Sequence, residues 1–510
     1  MRSVTQRAQN DNDDLVAVVS AALERAVTAK GETSFAGRER VALAVSNEAV
    51  RRMLERELQR AADVEVEEIR YEDRSYRPHH LGTVKYHSLC GPLHIRRWAY
   101  RAMGVRNGPT LVPLELRAGL IEHGTPALAY AVTQGYAKGP IRAVRQDLLA
   151  AERLPPSRPT LERMAKRVAL SAKEAVDLIE PEIRAAEEIP PQTMGVTLGL
   201  DRTTVPMEEP ASEEELARGK KIAVHYRMAY VGTIALTDRA GDVLRSWRYA
   251  IPAHEDPAIV TDRMMNDLQH ALQHKPRVHI GVVQDGAPEL WRLIDEALEK
   301  WKLGKKRLHR AIDMFHLCER LSRALEIAYP KKSGAHLRAK MLTSWKRALL
   351  RRDDAIKNIS DFFEVGPRFH ARQYRRTVRD AASKGFFKTR DHYFVDRPDK
   401  PRPPAPAPLP PPRFSAQQRH ALSALLDGYL IDPKMFRYAS MAKLGLHVGS
   451  GLTEGACKSL IAARTKRSGQ RWHKPGIEAV LTVRSLLESD RFDLFWGRFS
   501  QRYAPLASAA

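Results

Sequence analysis

Two apolar runs, Met194-Gly195-Val196-Thr197-Leu198-Gly199-Leu200-Asp201 and Val278-His279-Ile280-Gly281-Val282-Val283-Gln284-Asp285, each close on an aspartate. Short apolar runs bounded by turn signals and separated by helical patterns are the buried strands of a sheet covered by helices. Carboxylates leaving the ends of such strands sit where α/β folds build their sites. A third acid, Glu454, opens a helix within Gly449–Lys458 (GSGLTEGACK), and Lys458, Arg464, Lys466, Arg467 and Arg471 follow it with no further carboxylate before Trp472. On its own this pattern suits a solvated amphipathic helix equally well, since an acid near a helix N-terminus is favourable in itself. If Asp201, Asp285 and Glu454 converge, they offer three hard oxygen ligands for Mg²⁺ or Mn²⁺. A pair of such ions can activate a water or hydroxyl and stabilise the leaving oxygen in an in-line attack on phosphate.

With the step Asp313-Met314-Phe315-His316 lying between the second and third acids, the pattern resembles the DDE transposases of bacterial insertion sequences, closest to the Kra-type family, which is related to the Mutator-like group. The run RYASMAKLGLHVGSGLTEGACKSLIAARTKRSGQRW, Arg437 to Trp472, carries most of the resemblance, which extends over roughly residues 80 to 500. It implies a ribonuclease H-like catalytic core in which Asp201, Asp285 and Glu454 are the catalytic and metal-holding acids for two Mg²⁺ (or Mn²⁺) ions. It also implies metal-dependent cleavage and strand transfer on double-stranded DNA, at element terminal inverted repeats and at target DNA, by a homodimer or higher homo-oligomer. A catalytically inactive DNA-binding regulator derived from a transposase is the alternative. Related transposases keep an Asp or Cys shortly before a His at this point, so Asp313 and His316 are expected to support the site, against DNA or behind the metal ligands. Most lone histidines in such places are hydrogen-bonded packing residues. Arg464, Lys466, Arg467, Arg471 and Trp472 are expected to hold the DNA backbone near the scissile phosphate.

Composition agrees with a polyanionic partner: Lys and Arg number 84 against 61 Asp and Glu, a formal charge of +23, with a pI near 9.9. A membrane surface is disfavoured, because Leu15 to Leu23 and every other apolar run fall far short of the ~20 residues of a spanning helix. The start of the chain, MRSVTQRAQNDNDD, has no apolar signal core. A cytoplasmic protein follows, nucleoid-associated in a bacterium if the resemblance holds. Cys90, Cys318 and Cys457 show neither a disulfide framework nor paired metal spacing, and are expected to be reduced.

At 510 residues the chain is too long for one core. Residues 1–80 are helical in period, Leu15, Val18, Val19 and Leu23, then Val45, Val50, Met53, Leu54 and Leu58, and read as a packing or dimerisation region. Residues 81–125 hold two alternating runs about Cys90-Gly91-Pro92, a hairpin without the cysteines of a zinc knuckle. Residues 126–185 carry three helices, about Pro126 to Ala137, Ile141 to Leu149 and Thr160 to Ile179. They suit a helix-turn-helix reader with Arg158, Thr160, Arg163, Lys166 and Arg167 toward DNA, or a plain bundle.

Residues 190–317 run strand, strand, strand, helix, strand, helix, strand, an order that matches a ribonuclease H-like core in an α/β protein. The distance in sequence from Asp285 to Glu454 is about twice that from Asp201 to Asp285, so a mainly α-helical insertion domain is expected at 318–438. Its segments Lys331 to Arg352 and Arg368 to Arg390 are basic, with Trp345, Phe369, Tyr374, Phe386 and Phe387 interleaved, a pattern for phosphate neutralisation and base stacking or for an aromatic core. Within it, 398–412 is proline-rich and reads as an extended spacer of roughly 45 Å at about 3.1 Å per residue, or as a ligand for a proline-binding domain. Residues 439–500 complete the core with the Glu454 helix and the helix from Gly476 to Leu487.

Overall fold

The computed structural model describes residues 2–64, 66–219, 221–302, 307–330, 334–365, 414–430 and 432–503. The segment Arg368 to Arg390, with its four aromatics, and the proline-rich stretch 398–412 lie outside them. The protein is α/β with two separate sheets, and it divides into two compact units, Met1–Ala185 with His473–Ala510, and Ala186–Trp472. Among the described residues no helix is long and apolar enough to cross a membrane.

The first unit starts with helices α1 (Arg2–Ala29) and α2 (Phe35–Ala62), the second capped by Ser34. A four-stranded antiparallel sheet follows, β1 (Ile69–Tyr71), β2 (Arg74–Ser88), β3 (Gly91–Ala102) and β4 (Thr110–Leu111), in that spatial order. The β2–β3 hairpin turns at Leu89-Cys90, with Ser88 paired to Gly91, whose φ of +118° suits glycine. Because β4 pairs only with Tyr100 and Arg101, most of the outer edge of β3 would be bare. Side chains one helical turn apart on α2 cover it. Glu55 accepts from the His94 N–H at 2.7 Å, Gln59 accepts from the Arg96 N–H and donates to the Arg96 carbonyl, both at 2.9 Å, and Arg51 donates to the Pro92 carbonyl at 3.2 Å.

Helices α3 (Pro113–Arg117), α4 (Pro126–Lys138), α5 (Ile141–Ala150) and α6 (Arg158–Ala186) come next. The last is longer at both ends than its sequence pattern suggests. It buries Leu161, Met164, Ala165, Val168, Ala172, Val176, Ile179 and Ile183, and leaves Arg158, Arg163, Lys166 and Arg167 exposed on the opposite face. The helix Lys474–Glu488, grouped by the chain reading with the Glu454 segment, belongs to this unit. Glu478 pairs with Lys173, and Arg484 Nη1 donates to the Ala137 carbonyl at 2.6 Å.

The second unit is built on a five-stranded sheet of order β7-β6-β5-β8-β9. Strands β5 (Gly195–Pro210), β6 (Ile222–Thr237) and β7 (Val243–Ile251) are antiparallel neighbours, while β8 (His279–Gln284) and β9 (Leu308–Ile312) run parallel to β5. Between them, α7 (Glu213–Ala217) sits in the β5–β6 connection, and α8 (Ala258–His274) and α9 (Pro288–Lys300) lead into β8 and β9. The period of two in a strand decides which residues reach which face. Val196, Leu198 and Leu200 join Ile280, Val282 and the apolar stripes of α8 and α9 in one core. Val283, Ala311 and Ile312 join α10 (Met314–Ala328), α11 (Ala335–Arg351), α12 (Ala355–Phe363) and the helix Ala416–Leu426 in a second. The described part of the stretch expected as a separate insertion therefore shares its core with the sheet. Trp345 is a core residue of this layer, edge-on to Phe362 and Phe363 with centroids 5.3 and 5.4 Å away, and is not placed to stack on a base.

The alternation on β5 has a further consequence. Thr197, Gly199 and Asp201 face away from the α8/α9 core, and the helix that begins at Gly451 packs there. A Cβ on Gly199 would lie 2.0 Å from Thr453 Oγ1 and 3.0 Å from Thr233 Oγ1, and those two hydroxyls are hydrogen-bonded at 2.7 Å. Gly199→Ala must displace the Thr453 hydroxyl, break its bond to Thr233 and shift the helix by a few tenths of an ångström. We expect it to cost about 1–3 kcal/mol, read by urea denaturation, because inserting atoms into a tight contact forces backbone shifts. A cost below 0.5 kcal/mol (~) would mean that the contact is loose.

Candidate functional site

Asp201 lies within β5 opposite Val231, at the level where β8 no longer pairs with the strand. Its Oδ1 accepts from the Arg202 N–H at 2.7 Å, and its Oδ2 accepts from the Cys457 thiol at 3.4 Å. Burial pushes its carboxyl above the usual carboxylate range. The two hydrogen bonds oppose this, and the negative charges of Asp285 and Glu454 push it further up. Asp285 is the first residue beyond β8. Its Oδ1 accepts from the Ala287 N–H at 2.8 Å as the chain turns into α9, and its carbonyl accepts from Trp291 Nε1 at 2.9 Å. The next residue must be small, because a Cβ on Gly286 would meet the Tyr429 ring at 2.8 Å.

Glu454 stands on the helix Gly451–Ala456, which continues through a π-helical turn, Cys457–Ala462, to Ala463–Thr465. Such turns concentrate at functional sites. Ser450 Oγ donates to Glu454 Oε1 at 2.8 Å. The helix stops at Thr465. Ser450 and Cys457 stand four residues before and three after Glu454, the offsets that share a helix face. One holds Glu454 and the other holds Asp201. That spacing of small polar residues is visible in GSGLTEGAC, yet sequence reasoning passed over both.

Asp313 follows β9 and caps α10, and it is fully buried. Its Oδ1 accepts from Phe315 N–H at 3.2 Å and Ser450 N–H at 2.8 Å, and its Oδ2 from His316 N–H at 3.1 Å and the His316 ring Nδ1 at 2.7 Å. One ligand atom each from Asp313, His316 and Glu454 lie within 4.8 Å of one another.

Asp201, Asp285 and Glu454 are each half-buried, and among the described residues none of them forms a salt bridge. A partly desolvated carboxylate normally has a cationic partner. Asp285 and Glu454 both act electrostatically on Asp201, and acids with lone pairs to spare fit a hard divalent cation such as Mg²⁺ or Mn²⁺. Next to Asp285, the carboxamide of Gln284 is buried and finds no partner for either its nitrogen or its oxygen.

The cations expected on DNA fall into two groups. Lys466, Arg467 and Arg471 are exposed, and Lys466 Nζ also donates to Thr203 Oγ1 at 2.8 Å, two residues beyond Asp201. Arg464 and Trp472 are buried instead. The guanidinium lies 4.7 Å from the centre of the Trp472 ring, and Trp472 closes the edge of β5 by donating to the Pro206 carbonyl at 3.1 Å and accepting from Glu208 N–H at 2.9 Å. These two are packing residues, because stacking on each other and on β5 removes both from water. Arg158, Arg163, Lys166 and Arg167 are exposed on α6 of the other unit, Lys166 in an i,i+4 pair with Glu162 at 2.8 Å.

No family model and no curated protein matches the chain. Among solved structures it is similar to a Drosophila P element transposase strand transfer complex, at 12% sequence identity and a TM-score of 0.32, over 72% of this chain and 92% of that one. A likeness this loose bears on neither the site nor the activity.

Proposed function

We propose that the protein is a DNA transposase of the DDE type, of the Kra-type group of bacterial insertion sequences, which binds element ends and carries out metal-dependent strand cleavage and strand transfer. The observation that carries this reading is that Asp201, Asp285 and Glu454 are all half-buried without a salt bridge among the described residues, and that the charges of the other two act on Asp201. Three antiparallel strands followed by two parallel ones, with the third acid on a later helix, support a ribonuclease H-like core.

Asp201, Asp285 and Glu454 would hold the metal. Two bound Mg²⁺ or Mn²⁺ ions supply Lewis-acid activation of the attacking and leaving oxygens. Asp201 and Glu454 are fixed for this by Cys457 and Ser450, so little reorganisation remains when the ligands are filled. Exposed Lys466, Arg467 and Arg471 neutralise backbone phosphates near the site, and Arg158, Arg163, Lys166 and Arg167 do so on the other unit. Pairing two element ends calls for at least a dimer.

The test is a nicking and strand-transfer assay in Mg²⁺ on the DNA that flanks the gene. Wild type should give both products, and Asp201→Asn and Asp285→Asn should each lower them by about a thousandfold, equivalent to about 4 kcal/mol. Specific DNA binding without any product would make the chain a regulator.

A further inference from the structure

We propose that His316 is a direct metal ligand, so that the ion beside Glu454 is held by a nitrogen as well as by oxygens, and this position prefers a first-row transition ion such as Mn²⁺ to Mg²⁺. The inference rests on the metal-held site described above and goes beyond it, since there His316 is only a supporting residue.

Donor bookkeeping at Asp313 leads to it. An ionised carboxylate has about four lone-pair positions and no proton to give. Asp313 spends all of them on Phe315 N–H, Ser450 N–H, His316 N–H and the His316 ring, and none of it reaches solvent. Although it is one of the three clustered groups, it has nothing left for an ion. The same contact decides the state of the imidazole. Because Asp313 can only accept, Nδ1 carries the proton, and in the neutral ring the free lone pair is on Nε2. A carboxylate behind one ring nitrogen with the other left bare is the arrangement that orients metal-bound histidines.

Exposure separates this from a packing role. The Asp313 side chain is 0% exposed, whereas that of His316 is 40% exposed, so the carboxylate sits behind a ring that reaches the surface. Asp313 also fixes the second ligand. It holds the Ser450 N–H, and Ser450 Oγ holds Glu454 Oε1, so one buried acid positions both the imidazole and the carboxylate. A ring nitrogen of His316 and a carboxylate oxygen of Glu454 lie within 4.8 Å of each other, so the two side chains are close enough to serve a common ion. An imidazole in the donor set raises affinity for first-row transition ions, whereas Mg²⁺ keeps to oxygen ligands and water.

The experiment uses the full chain with Mn²⁺ alone as the probe. Pulsed EPR of the Mn²⁺-loaded wild type should show a ¹⁴N hyperfine coupling. His316→Gln should lose it and bind Mn²⁺ about tenfold or more weakly, with a smaller change in Mg²⁺ competition. Mn²⁺ binding that is abolished by Glu454→Gln but carries no ¹⁴N coupling in wild type overturns the proposal and leaves the metal-held site standing. Absence of any Glu454-dependent Mn²⁺ binding overturns both. The decisive signal is read on wild type, so a misfolded His316 variant does not blur it.

Discussion

Glu454→Gln is expected to leave the protein folded and bound to its DNA while strand cleavage falls by about a thousandfold. The carboxamide is nearly isosteric, and its oxygen can keep the 2.8 Å bond from Ser450 Oγ, so the helix onset should survive. What disappears is the charge proposed to hold a divalent ion, together with one of the two acids whose charge raises the Asp201 carboxyl. A thermal melt within about 2 °C of wild type, an unchanged gel shift on duplex DNA and no nicked product would together bear this out. Full nicking by the variant would remove Glu454 from the chemistry. Because the exposed cations Lys466, Arg467 and Arg471 are untouched, any loss of DNA binding would point to a folding defect.

Asp313→Ala should be among the most damaging single changes to stability. Four donors converge on one buried carboxylate, and truncating it strands the Ser450, Phe315 and His316 N–H groups without replacement acceptors. Hydrogen bonds to a charged group are worth about 1.5–3 kcal/mol each, and stripping the acceptor from a buried network costs about 3–5 kcal/mol in total once relaxation is allowed. Urea denaturation should report that loss, with the melting temperature lowered by roughly 10 °C. Asp313→Asn keeps one acceptor oxygen and should fall between the two. A loss of less than about 1 kcal/mol for the alanine variant would show that water replaces the carboxylate, and the rigidity assigned to Ser450 and His316 would go with it.

Several parts of this arrangement were legible before any coordinates. The strand that leads to Asp285 follows from an apolar run closed by an acid, and the strand and helix order expected over 190–317 is found apart from the short added α7. Asp201, expected at a strand end, lies instead in the middle of β5, because the strand runs on to Pro210 as the antiparallel partner of β6. The charge pattern after Glu454 was legible only as a list of cations. It could not separate Lys466, Arg467 and Arg471, which face water, from Arg464, which stacks on Trp472 inside the fold. Spacing along a helix says which residues share a face, but whether that face is covered depends on what packs against it. Residues 471–472 turn back along β5, a contact that no local pattern encodes.

Asp313 shows the same division. Expected only to support the site, it is the N-cap of α10 and accepts from the Phe315 and His316 N–H groups. Its third duty, holding Ser450 from a segment far along the chain, is a long-range hydrogen bond.

The sequence by itself determined the elements: which apolar runs are strands, which helix faces are apolar, and the excess of positive charge. These depend on neighbours within a few residues, through side-chain period, capping and turn chemistry. Only the tertiary structure decided which acids spend their lone pairs inside the protein and which keep them. Hydrogen-bond saturation is a property of groups brought together from distant parts of the chain, and Asp313 and Glu454, equally acidic on paper, come out as a buried tether and a half-buried acid that accepts from Ser450.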